Sequence, residues 1–294
     1  MYRTDGYRVH TKYDPMYEIV PHIMNRRLDA TNNIKVPISL DPIQDYTRKC
    51  RKNGTPMSHM AVIIAAYVRV ASQNPLLNRF SINRKVYARN HFCVSFVTLV
   101  PQTGGETVNK VYFDLDDTIF EVNEKLANAI DLSKVQLEDN AMDKFANAIL
   151  RIPGLLRIGV SFLKFLDRMF TMPFWAVNAS PFHTSFWITN LASIRTAAVQ
   201  HHLYEFGTSS VFLAMGKPEL KTYINDDGEV DQEKIIELSI TTDERIASGS
   251  YLGRCFRELE KYLKNPTLLE EKPEKVVKDP DIVHKNPKWI SKYK

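Results

Sequence analysis

From Met57 to Gln73 the chain reads Met-Ser-His-Met-Ala-Val-Ile-Ile-Ala-Ala-Tyr-Val-Arg-Val-Ala-Ser-Gln, with apolar residues on every side of a helix rather than along one stripe. A helix that is hydrophobic all round must be covered all round, so the rest of the chain has to enclose it. Ser58 stands where a cap would satisfy the first free N–H groups. The flanking sequence supplies the covering pieces. Residues 17–28 and 42–52 mix apolar and basic residues at helical spacing, and residues 117–132 repeat that pattern behind Asp117 or Thr118 as a cap. Residues 35–40, 91–100 and 108–113 are β-branched or alternating, with a hairpin at Asn83-Arg84, and read as strands. Four short strands follow at 184–190, 211–215, 222–224 and 235–242, and a helix at 254–264 stops at Asn265-Pro266. Mixed helices and strands around one buried helix predict an α+β fold, a two-layer α/β sandwich with a mixed sheet.

With 294 residues, 44% of them hydrophobic and 25% charged, the chain is long enough for one large core or two modest ones. Lys and Arg exceed Asp and Glu by 39 to 34, but the surplus lies in residues 272–294 and not in an aromatic-interleaved basic stripe, which argues against nucleic acid as a partner. The polar N-terminus lacks the apolar core of a secretory signal, so the expected location is the cytoplasm. Cys50, Cys93 and Cys255 match no metal-ligand spacing and are read as core or surface residues rather than zinc ligands, disulfides or catalytic thiols.

Residues 141–177 stand apart. They carry a dense series of large apolar residues from Phe145 to Trp175, broken by Pro153-Gly154 and by Arg151, Arg157, Lys164 and Arg168, and no charge-free window is long enough to span a bilayer. Two readings are open: core or subunit-interface helices, and a basic amphipathic helix on a membrane surface or partner. The apolar positions cover most of the helix circumference, which favours the interface. The division expected is an N-terminal extension at 1–16, a core at 17–269 with an apolar helical insertion at 141–177, and a charged tail at 270–294, extended or disordered.

Three local motifs then occur in order. Phe186-Trp187-Ile188-Thr189-Asn190-Leu191-Ala192 resembles the Phe-x-Ile-Ser/Thr-Asn-x-Gly strand of dihydrolipoamide acyltransferases; Phe206 to Gly216 resembles that family's Asn-Pro-Pro-Gln-x-x-Ile-Leu-x-x-Gly strand; residues 238–266 resemble its closing strand, catalytic loop and last helix. Ile23 to Arg27 and Pro75 to Asn78 are also similar, so the likeness covers residues 17–268. It implies the chloramphenicol-acetyltransferase-like fold, a homotrimer with its site between subunits, and coenzyme A or acyl-coenzyme A as substrate rather than a resident cofactor, together with a small-molecule acyl donor and acceptor. No metal is implied.

The family's Asp-His-Arg-x-x-Asp-Gly motif is altered to Asp243-Glu244-Arg245-Ile246-Ala247-Ser248-Gly249. The histidine that takes the thiol proton is replaced by Glu244, and its acidic partner by Ser248. An imidazole of pKa about 6.5 suits a thiol near 8.5, whereas a glutamate near 4.3 is mismatched unless burial raises it. Glu244 is therefore either an adapted base or a member of a loop-holding network with Asp243 and Arg245. Thr189 matches the family's hydroxyl, which donates to the developing oxyanion. His202, in the His201-His202 pair, is the alternative base, although paired histidines near a turn often serve as surface or core-capping residues. Asn190, Ser248, Gly249 and His183 complete the residues expected at the substrate. Two functions follow: a coenzyme-A-dependent acyltransferase, or a catalytically inactive trimeric scaffold or interaction protein of the same fold.

Overall fold

A computed structural model of the protein describes residues 2–10, 15–99, 105–135, 154–169 and 171–283. Its centre is the enclosed helix. Helix α3 (His59–Gln73) is buried at every position from Met60 to Ser72, and Ser58 caps it by accepting from the Ala61 N–H at 3.1 Å. A six-stranded sheet lies on one side, in the order β2 (Thr31–Ser39), β9 (Val230–Asp243), β8 (Val211–Ile224), β7 (Phe186–Asn190), β5 (Phe92–Leu99), β6 (Glu106–Phe113). The β5–β7 and β7–β8 pairs are parallel and the others antiparallel, which makes the sheet mixed.

Strand alternation divides the sheet faces. Phe186, Ile188, Leu213, Met215, Leu238 and Ile240 join α3 in one apolar core, which α2 (Asp41–Lys52), α4 (Ile119–Val135) and α7 (Gly249–Lys264) close. Trp187, Thr189, Phe212, Ala214, Ser239 and Thr241 alternate with these residues and therefore face the other way. Thr118 and Glu121 form a reciprocal cap at the start of α4. In the hairpin of β3 (Arg79–Ile82) and β4 (Lys85–Arg89), Asn83 and Arg84 both adopt left-handed φ (48° and 58°), the geometry a two-residue hairpin needs. The remaining described elements are β1 (Gly6–Arg8), α1 (Met16–Ile23), α5 (Leu155–Met169) and α6 (Phe174–Ala179).

The structure adds to the sequence reading in three places. Residues 211–215 and 222–224 belong to one fourteen-residue strand, continued across an irregularity between Met215 and Pro218 and projecting with β9 as an exposed hairpin. The chain ends are packed although they hold little apolar surface, because their charges are paired. Arg79 binds Asp279 through two hydrogen bonds (2.6 and 2.7 Å) and Asp281 at 2.7 Å, and the Val277 N–H donates to the Ser72 carbonyl. At the other end β1 adds to β4, and Arg3 and Asp5 are buried. Residues 284–294 of the tail and 141–153 of the insertion lie outside the described residues. Within the insertion, the charges of α5 are segregated: at 100° per residue Arg157, Lys164 and Arg168 fall within about 40° of one another, Ile158, Phe162, Phe165 and Met169 within about 60° on a second face, and Asp167 on a third.

No described helix is long and apolar enough to cross a membrane, and no described group of His, Cys, Asp or Glu has the arrangement to hold a metal ion. Cys50, Cys93 and Cys255 are free and buried.

Candidate active site

The loop after β9 is fixed by a buried charge network. Asp243 is fully enclosed; its Oδ1 accepts from Arg245 Nε at 2.8 Å and its Oδ2 from Arg245 Nη2 at 2.7 Å, while Arg27 Nε stands 3.6 Å from Oδ2. Burial works against the Arg245 charge, yet the bonds and charge of Asp243 outweigh it and raise the guanidinium pKa. For Arg27 burial prevails and lowers the pKa. Arg27 also donates to the carbonyls of Tyr204 (2.6 Å), Ser81 (3.0 Å) and Gly207 (3.2 Å), so it joins β3, the 204–207 loop and the loop after β9. Arg27 lies in the Ile23 to Arg27 segment similar to the acyltransferases, but its role depends on three distant carbonyls and no local signal gives it.

Glu244 is half-buried at the end of β9. Its Oε2 accepts from Asn32 Nδ2 at 2.7 Å, and its N–H donates to the Ala30 carbonyl at 2.9 Å. Ser248 is the N-cap of α7, accepting from the Tyr251 N–H at 3.3 Å, and Gly249 is the exposed first residue of that helix. Both positions that depart from the family motif thus have structural partners, Glu244 across the sheet on β2 and its approach, Ser248 within α7.

Thr189 and Asn190 end β7, both half-buried. The Asn190 Oδ1 is buried and meets no donor among the described residues. Thr189 pairs with Ala214, and Ala214 with Ser239, on β9 well before Glu244. At ~3.3 Å per residue and ~4.8 Å per strand, Thr189 and Glu244 of one protomer are roughly 20 Å apart. The fold does not bring them together within one chain.

The histidine pair lies elsewhere. His201 stacks on Phe212 with ring centroids 3.8 Å apart and planes 6° from parallel, and His202 stacks on His201 at 4.8 Å. Phe212 pairs with Trp187, two residues before Thr189 on the same face, so the stack stands about 7 Å along the strand from the Thr189 row. His201 Nδ1 meets the His202 carbonyl at 2.7 Å; since a carbonyl only accepts, Nδ1 carries the proton. Burial lowers the His201 pKa. The His202 ring is exposed.

His183 is remote from solvent. Its Nε2 lies 3.1 Å from Asp167 Oδ2 and its Nδ1 2.8 Å from Ser180 Oγ, inside a network with Arg3 and Asp5. A substrate has no exposed edge of this ring to contact. The Asp167 partnership spans α5 to the approach of β7, and sequence spacing does not disclose it.

A cavity of about 320 Å³ opens beside this region, lined by Arg84, Lys164, Arg168, Arg245, Asp167 and Glu205 among others. Neither Thr189, His202 nor Glu244 lines it, and its wall is predominantly cationic.

Residues 183–270 match the family model described as 2-oxoacid dehydrogenases acyltransferase (catalytic domain). Among solved structures, a probable dihydrolipoamide acetyltransferase from Listeria monocytogenes is similar with a TM-score of 0.56 at 11% identity, over 86% of this chain and 94% of that one. The cubic core of the pyruvate dehydrogenase multienzyme complex gives 0.57 at 12% identity, over 86% and 88%. A chloramphenicol acetyltransferase gives 0.52 at 10% identity, over 87% and 99%. No curated protein matches the sequence.

Proposed function

The chain has the chloramphenicol-acetyltransferase-like fold, and from that premise we propose that it is a coenzyme-A-dependent acyltransferase acting as a homotrimer, with Thr189 as oxyanion donor and His202 as base. The observation that carries this reading is the Phe212–His201–His202 stack, which sets an exposed imidazole on the sheet face that bears Thr189. The base takes the proton of the attacking group, the thiol of coenzyme A or the acceptor's nucleophile. The nucleophile adds to the acyl carbonyl, the Thr189 hydroxyl donates to the oxygen as it becomes anionic, and collapse expels the leaving group, which recovers the proton from the imidazolium. In this reading the Asn190 side chain accepts a hydrogen bond from the substrate, supported by its buried Oδ1 at the end of β7.

The test is transfer from a panel of acyl-coenzyme-A donors. Thr189→Ala should lower turnover by about a hundredfold or more, and His202→Asn should do the same, each with the thermal midpoint retained. Glu244→Gln should stay within a few-fold. If Glu244→Gln abolishes turnover and His202→Asn does not, the base is Glu244, which reaches Thr189 only from a neighbouring subunit. A monomer mass by light scattering refutes the trimer. A second reading, a scaffold without catalysis, is favoured by the bonds of Glu244 to Asn32 and of Ser248 to the α7 terminus, which turn both motif positions to structural use. It stands if no acyl group is transferred and coenzyme A does not bind by calorimetry.

A further inference from the structure

Helix α5 projects an apolar arc away from the body. Ile158 is 69% exposed, Phe162 57% and Met169 53%, and Phe165 shares their face. Just past the helix, at the start of α6, Trp175 is 74% exposed. The attachment to the body is polar. Asp167, 2% exposed, has its Oδ1 3.0 Å from Arg3 Nη2 and its Oδ2 3.1 Å from His183 Nε2, while its carbonyl accepts from Arg3 Nη1 at 2.9 Å. This bonding fixes the rotation of α5 with the apolar arc outward.

The charges on the helix are of one sign wherever solvent reaches them. Arg157, Lys164 and Arg168 are exposed, and the helix's acid, Asp167, is consumed inside. Lys164 and Arg168 also line the cavity together with Arg84. Whole-chain charge has the same sign, +5. An apolar arc beside a uniformly basic one, with an adjacent tryptophan, complements a single kind of surface: an anionic bilayer, whose acyl boundary takes the apolar arc and whose headgroups take the cations. A protein groove complements the apolar arc but gives no reason for an unbroken cationic flank.

We propose that α5 and Trp175 form an interfacial anchor that seats this protein on an anionic lipid surface. The anchor is independent of the acyl-transfer reading, and either can fail without the other. The experiment is cosedimentation of the full chain with phosphatidylcholine vesicles, with and without about 30% phosphatidylserine. The wild type should bind the anionic vesicles and release them as salt rises, since the attraction decays within a Debye length. Phe162→Ser with Ile158→Ser, and separately Lys164→Glu with Arg168→Glu, should each weaken binding by at least about tenfold, with the thermal midpoint retained because these side chains are exposed. Trp175 fluorescence should shift to the blue on binding, and Trp175→Phe should remove that shift. The proposal is overturned if anionic vesicles are not bound, or if the charge-reversed variant binds as the wild type does. It is also overturned if Phe162→Ser with Ile158→Ser lowers the oligomer mass, because the arc is then a subunit contact.

Discussion

Arg3→Met probes the buried network that ties the N-terminus to α5 and His183. Arg3 forms two hydrogen bonds with Asp5 (2.7 and 2.9 Å) and two with Asp167 (2.9 and 3.0 Å), and all three side chains are almost entirely enclosed. Burial alone would raise the Asp5 carboxyl, but the Arg3 charge and bonds hold it well below the ordinary carboxylate range. Burial pushes Asp167 the same way, and bonds from His183 and the charge of Arg3 bring it below its usual value. Methionine keeps most of the side-chain volume and removes the charge, leaving two carboxylates close together in a dry site. Breaking one member of a buried pair costs about 3–5 kcal/mol. At about 2.1 cal/mol/K per residue, a chain of 294 residues has an unfolding entropy of about 0.6 kcal/mol/K, so the midpoint should fall by about 5–8 °C.

The pH dependence distinguishes this account from simple loss of packing. In the wild type the carboxyl pKa values are depressed, so their stabilisation is complete above the unfolded value near 3.9 and is lost only as pH falls below it. In the variant burial raises them instead, and the penalty is relieved as protons bind on lowering the pH. The gap in midpoint between the two proteins, followed by circular dichroism from pH 7 to pH 5, should therefore narrow. A gap that is constant or widens, or a fall under about 2 °C at pH 7, refutes the reasoning.

Two further outcomes follow from the packing. Gly207 has φ +90°, and a Cβ there would lie 2.2 Å from the Phe182 carbonyl oxygen, so Gly207→Ala should disrupt the 204–207 loop and lower the midpoint by several degrees, measured by scanning calorimetry. Truncation after Leu269 removes Asp279 and Asp281, the carboxylates of Arg79, and the Val277 N–H bonded to Ser72; the midpoint should fall by several degrees, measured by scanning calorimetry.

What the sequence determined by itself was whatever depends on neighbours along the chain. The all-round apolar run at 57–73 required an enclosed helix, Ser58 and Thr118 marked helix starts, Asn83-Arg84 marked the hairpin, and the motif around Thr189 pointed to the fold. Each rests on local conformational preference or on residue order, both present in a one-dimensional string. The tertiary structure decided which charges meet. The tail's composition buries little apolar area and reads as extended or disordered; the fold brings its Asp279 and Asp281 onto Arg79 some two hundred residues away. His183 looked available to substrate from its place before β7, and Asp167 and Ser180 enclose it instead. Thr189 and Glu244 are linked by motif but separated by two strand spacings and several residues of rise, while His202 reaches the Thr189 face through a ring stack on Phe212. Ion pairs and stacking act through space at a few ångströms, so they depend on distances that only the folded chain defines.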